Sequence, residues 1–122
     1  MKTISQKERR RAKREIIGYA LINVYPKNVQ TQSEIRARVF DISPLGAGII
    51  SYQPCIEDSK IYLSLLSPDN TSLPNISGRV VRCKEKNNEY HIGIEFENIN
   101  EYQKSLIENY IRSMKLWNKN KE

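Results

Sequence analysis

The chain has little of what small proteins use for covalent bracing or for acid–base chemistry. Among 122 residues there are two cysteines, Cys55 and Cys83, and a single histidine, His91. Two distant thiols cannot form a disulfide framework, and without ligand partners at suitable spacing they offer no metal site, so both are expected to be free. No apolar run approaches the ~18 residues that a membrane span requires. Met1-Lys2-Thr3-Ile4-Ser5-Gln6 leads into charge and not into an apolar segment, so no secretory signal is read and a cytoplasmic location is expected. There is no second histidine, clustered carboxylate pair or nucleophile beside a base, so a non-enzyme without a cofactor is expected. His91 reads as a surface residue. The apolar fraction, 39%, is enough for one domain with a small core.

What the chain does have is positive charge in one place. The formal charge is +6, and residues 2–14 carry seven basic side chains against Glu8, so the remainder is close to neutral. Residues 1–15 show no apolar period and repel one another, which predicts a flexible basic arm. Such an arm attracts phosphates of any kind, and by itself it is equally a solubilising tail.

Downstream, the hydrophobic period is two. Residues 16–25 are apolar and β-branched, and residues 35–40 alternate Ile35, Ala37 and Val39 against Arg36 and Arg38. Further strands are expected at 47–51, 60–66, 76–84 and 89–96, and Gly48 in the third permits close packing or a bulge. The last two join at Lys86-Asn87-Asn88, where asparagine tolerates the left-handed angles of a tight hairpin. Arg79 and Arg82 are expected on opposite faces of the fifth strand. Six strands on short connections, with no helix between them, predict antiparallel pairing and closure into a barrel. From Asn100, a helix cap, the period changes: Leu106, Ile107, Tyr110, Ile111, Met114 and Trp117 form one helical stripe. The domain is read as residues 16–118, with 119–122 a tail.

Between the second and third strands stands Asp41-Ile42-Ser43-Pro44-Leu45-Gly46, expected as a turn. It offers a carboxylate, a hydroxyl and a position without a side chain within six residues. The arm offers a dense set of guanidiniums. Together they are what binding a purine nucleotide phosphate needs.

With these residues in view the chain resembles the PilZ domain, the bacterial receptor module for cyclic di-GMP. Arg10-Arg11-Ala12-Lys13-Arg14 matches its RxxxR, and residues 41–46 match its (D/N)xSxxG without a departure. Gly78-Arg79-Val80-Val81-Arg82 and His91-Ile92-Gly93-Ile94-Glu95-Phe96 resemble its fifth and sixth strands. The resemblance implies a six-stranded antiparallel barrel with a C-terminal helix, and a ligand site of Arg9, Arg10, Arg14, Asp41, Ser43 and Gly46. Arg10 and Arg14 would fork onto phosphate or onto the guanine O6/N7 edge. Asp41 would accept from guanine N1–H and N2–H₂, with Ser43 on the same base or its ribose. Gly46 would let backbone approach the ring, and Arg9 would favour two stacked ligands over one.

The implied function is a switch: ligand orders the arm, and the changed surface signals to a partner protein in trans. Two rivals stand beside it. One is a degenerate PilZ-like adaptor that binds no nucleotide, against which the intact motifs argue. The other is a small basic barrel for single-stranded nucleic acid, against which the scatter of Tyr19, Tyr25, Phe40, Tyr52, Tyr62 and Tyr90 along the chain argues.

Overall fold

The computed structural model describes residues 18–24 and 34–121. Six strands and a helix follow in order: β1 (Gly18–Val24), β2 (Glu34–Ser43), β3 (Gly46–Ser51), β4 (Lys60–Leu66), β5 (Ser72–Lys86), β6 (Glu89–Phe96) and α1 (Glu101–Lys121). The strands close into a barrel in the order β1-β2-β3-β6-β5-β4, and every neighbouring pair is antiparallel. The six-stranded barrel and C-terminal helix expected from the alternation are both present.

Alternation explains the core. Ile35, Ala37 and Val39 are buried while Glu34 and Arg36 are exposed, and Ile61, Leu63 and Leu65 are buried on β4. Ile22, Ile49, Ile76, Val80 and Ile92 complete the interior, each almost free of solvent contact. Burying one such side chain contributes about 1.5–3 kcal/mol, so the barrel interior supplies most of the driving force for folding. Residues 52–59 pass from the end of β3 to the start of β4, and Cys55 buries itself in the core cluster from this connection. Both cysteines are free.

Two joints follow the expected chemistry. The β5–β6 hairpin turns on Asn87 and Asn88 with φ of 55° and 65°, the pair of positive angles that matches strand twist. Asn100 caps α1: its Oδ1 accepts from the Gln103 N–H at 2.7 Å, and Gln103 Oε1 accepts from the Asn100 N–H at 3.1 Å. Helix α1 then buries Ile107, Tyr110 and Met114, with Leu106 and Ile111 half-buried beside them. Its backbone stays helical to Lys121, because extending an existing helix costs far less than starting one.

The helix is also tied to the β4–β5 turn. The Asp69 carboxylate accepts from the hydroxyls of Ser113 and Ser67, and the Thr71 hydroxyl lies 3.0 Å from that of Ser113. These bonds, that to Ser113 first, hold the Asp69 carboxyl well below the usual carboxylate range.

Register is where the strands depart from simple alternation. β2 slips against β3 between Val39 and Asp41, leaving Phe40 as an extra residue. β5 slips against β6 between Val80 and Arg82, leaving Val81 as an extra residue. Each slip is a β-bulge, which turns the residues after it relative to simple counting. Val80 points into the core and Cys83 packs against it, whereas Arg79, Val81 and Arg82 all lie outside. The expectation that Arg79 and Arg82 take opposite faces is therefore overturned by the bulge at Val81.

Candidate functional site at the β2–β3 corner

The segment expected as one turn, residues 41–46, is mostly strand. β2 continues through Ser43 and β3 begins at Gly46, so only Pro44 and Leu45 turn. Asp41 pairs with Gly48, Ile42 with Ala47, and Ser43 with Gly46. Ile42 packs against the core, and Asp41 and Ser43 are exposed on the outer face. The bulge at Phe40 creates this arrangement by bringing Asp41 outward where strict alternation from Val39 would turn it in.

The corner is rigidly built. Ser43 Oγ accepts from the Leu45 N–H at 3.2 Å and donates to the Gly46 carbonyl at 3.5 Å, so the hydroxyl braces its own turn. The Leu45 carbonyl accepts from the Phe96 N–H at 2.8 Å, pinning the corner to β6. Gly46 is needed for the same reason. A Cβ there would lie 2.1 Å from the Ile94 carbonyl oxygen, while no glycine in the described residues has a positive φ. Close approach within the sheet, and not a special backbone angle, requires glycine at this position. The Asp41 carboxylate has no hydrogen bond or ion pair among the described residues, so it is available to a ligand.

The arginines of the arm, Arg9, Arg10 and Arg14, lie outside the described residues. The strand arginines sort by their partners. Arg38 pairs with Glu89 and lies over the Tyr52 ring at 5.3 Å. Arg79 is held by Asp58 at 3.1 Å and Glu97 at 3.3 Å, with Glu95 at 3.9 Å. Arg36 and Arg82 are exposed. His91 is half-buried and meets the Phe40 ring in an edge arrangement, the centroids 6.1 Å apart.

Gly18, at the root of β1, pairs with Val39 of β2. Asp41 stands two residues beyond Val39 on the same strand, so the chain preceding Gly18 joins the barrel at the end that carries the corner. Sequence reasoning had the motif but not this adjacency, which depends on the pairing of β1 with β2. A separate groove of about 500 Å³ lies over β4, β1 and β2, lined by Tyr19, Leu21, Arg36, Ser64, Leu66 and Ser72 among others. None of Asp41, Ser43 and Gly46 lines it. Among the described residues, no group of three or more potential metal ligands exists and no helix is long and apolar enough to cross a membrane.

Fold and site together define a closed antiparallel barrel that presents a carboxylate at a braced corner beside the root of its N-terminal strand. A family model described as PilZ domain matches residues 8–113, and the chain belongs to that family. No curated protein matches in sequence. Among solved structures, the PilZ domain of YcgR from Escherichia coli with c-di-GMP is similar at a TM-score of 0.70 and 13% identity, over 87% of this chain and 92% of that one. Longer YcgR in complex with c-di-GMP matches at 0.67 and 14% identity, over 85% of this chain and 44% of that one. MrkH of K. pneumonia in its apo state matches at 0.65 and 15% identity, over 88% and 50%. The chain thus spans about half the length of the longer structures it matches. At these identities the likeness is one of fold.

Proposed function

We propose that this protein is a cyclic di-GMP receptor that performs no chemistry on its ligand. The observation that carries this reading is the register of β1. Gly18 lies opposite Val39, beside the Asp41 corner, and Arg14 is only four residues upstream. Four residues of extended chain reach about 14 Å, so the RxxxR arginines are within covalent reach of a ligand seated at Asp41. The family membership and the ligand named for the solved YcgR PilZ domain support the same assignment.

In this mechanism residues 1–15 act as the arm and the barrel of residues 16–118 as the seat. Asp41, acceptor-only when ionised, takes the N1–H and N2–H₂ edge of a guanine. Arg10 and Arg14 fork onto phosphate oxygens, and Arg9 adds a contact that favours a second, stacked ligand. Ser43 and Gly46 keep the corner in shape, with the Ser43 hydroxyl still able to meet the base or ribose. Ordering the arm costs roughly 1–2 kcal/mol per residue, which several charge-assisted bonds must offset. The ordered arm and ligand then present a new surface to a partner protein in the cytoplasm, which carries the output.

Isothermal titration with cyclic di-GMP tests the assignment. Arg14→Ala and Asp41→Ala are each expected to weaken binding by a hundredfold or more with the melting temperature unchanged. Parental affinity in either variant removes that residue from the site, and one ligand per chain at saturation rules out the stacked pair. A pull-down with and without the dinucleotide should recover the partner in one condition only.

A further inference from the structure

We infer that Cys55 and Cys83 are a peroxide-sensitive thiol pair that closes to an intramolecular disulfide and braces the β3–β4 connection against β5. They are the two cysteines of the chain, 28 positions apart, and neither belongs to the RxxxR or (D/N)xSxxG pattern. The inference therefore stands apart from the receptor reading.

Backbone hydrogen bonds bring the two segments together. The β4–β5 ladder, in which Lys60 stands opposite Arg79, carries on into the connection, where the Val80 N–H donates to the Ser59 carbonyl at 3.0 Å. The Asp58 N–H donates to the Val80 carbonyl at 2.7 Å, and Asp58 has the left-handed φ of 70° that folds the chain back. The Ser59 N–H closes that turn on the Ile56 carbonyl at 3.1 Å. Further along β5, the Cys83 N–H donates to Glu57 Oε1 at 3.1 Å. The turn of residues 56–59 is thus fastened to β5 between Arg79 and Cys83, and Cys55 leads directly into it.

Both side chains turn toward the core. Cys83 pairs with Ile92, Ile92 with Ile49 and Ile49 with Val39, and those three partners are all buried. Residues opposite one another in an antiparallel pair share a face, so Cys83 points inward and packs against the core cluster. Cys55, 5% exposed, belongs to that cluster. Burial pushes the Cys55 thiol up to about 11, and the charge of Cys83 raises it further, a repulsion that falls off with distance.

Exposure sets the order of the chemistry. Cys83 is half-buried and open to a small oxidant, whereas Cys55 is enclosed. The Cys83 thiolate attacks hydrogen peroxide, the O–O bond breaks, and the departing hydroxide takes up a proton as water, leaving a sulfenic acid. The Cys55 sulfur, losing its proton, then attacks the Cys83 sulfur; the S–O bond breaks, the S–S bond forms and a second water leaves. Two thiols and one peroxide give one disulfide and two waters, and a thiol reductant reverses the change. Closing residues 55–83 into a covalent loop restricts the unfolded chain, so the oxidised protein is expected to melt about 5–15 °C above the reduced one.

The test exposes the reduced full chain to hydrogen peroxide, alkylates remaining thiols with iodoacetamide and measures intact mass, followed by peptide mapping. The expected product is a monomer lighter by two hydrogens, without alkylation, whose Cys55 and Cys83 peptides are joined. Its melting temperature should rise as stated and return to the reduced value with dithiothreitol. Cys55→Ser should leave Cys83 to accumulate sulfinic acid with no gain in melting temperature. Two alkylated thiols after peroxide, a parent protein that carries added oxygens on Cys83 beside a free Cys55, or a cross-link between chains each overturn the pair. A Cys55–Cys83 disulfide that leaves the melting temperature unchanged or lower refutes the bracing. The deciding measurements use the parent protein, so they hold even if Cys55→Ser fails to fold.

Discussion

Tyr110 tests how helix α1 is held to the barrel, through a single oxygen atom. The side chain is fully buried in the core cluster, and its hydroxyl has no hydrogen-bond partner among the described residues. It lies against the root of β1: a Cβ on Gly18 would be 2.6 Å from that oxygen and 2.8 Å from the Leu66 carbonyl oxygen. An unsatisfied buried hydroxyl costs about 1–3 kcal/mol, and phenylalanine keeps the ring and its contacts. Tyr110→Phe is therefore expected to stabilise the protein by about 1–2 kcal/mol. For a chain of this length that raises the melting temperature by about 3–10 °C. Tyr110→Ala should do the opposite, costing about 3–5 kcal/mol by opening a cavity, so the pair separates ring from hydroxyl. Calorimetry and urea titration read both. A Tyr110→Phe protein that melts below the parent refutes the reasoning, because the hydroxyl would then be contributing a favourable bond. The alkaline limb gives a second reading. Burial, and secondarily the Asp69 carboxylate, push the phenol from 10.0 up to about 12. A raised folded pKa means the unfolded chain ionises first, so this contribution is intact below pH 10 and is lost as pH rises toward 12. Burial likewise pushes the Cys55 thiol from 9.0 up to about 11, so loss should begin near pH 9. Tyr110→Phe removes the phenol's share and should shift alkaline unfolding upward.

Two further substitutions probe the frame of the site, alongside the ligand titrations already described. Gly46→Ala forces a methyl against the Ile94 carbonyl, a backbone atom that cannot rotate away. The β3–β6 pairing must shift, at a cost of about 1–3 kcal/mol; an unchanged urea midpoint would show that the contact does not require glycine. Asp69→Asn removes the charge that Ser113 and Ser67 bond. Because those bonds depress the carboxyl below its ordinary 3.8, they stabilise the parent above that pH, and the benefit fades as pH falls through the folded value. The variant should be less stable at neutral pH and lose less on acidification, and a parallel acid limb in the two proteins would count against the tether.

Much of this molecule is carried by short-range pattern. Period-two alternation in residues 35–40 and 60–66 is enough to place strands with one wet face, because the pleat sends successive side chains to opposite sides. Asn87-Asn88 and Asn100-x-x-Gln103 announce a hairpin and a helix start through bonds and angles spanning only a few residues. The RxxxR and Asp41-x-Ser43-x-x-Gly46 pattern likewise stands in the chain as written. Other decisions belong to the tertiary structure. Whether Phe40 or Val81 is an extra residue is settled by hydrogen bonding with a neighbouring strand, so alternation along one segment misjudged which way Arg82 points. Gly46 serves a carbonyl some fifty residues away, and the Tyr110 hydroxyl is stranded by packing against the start of β1. A chain's own periodicity reports its immediate neighbours, and these features are set by partners that meet only when the barrel closes.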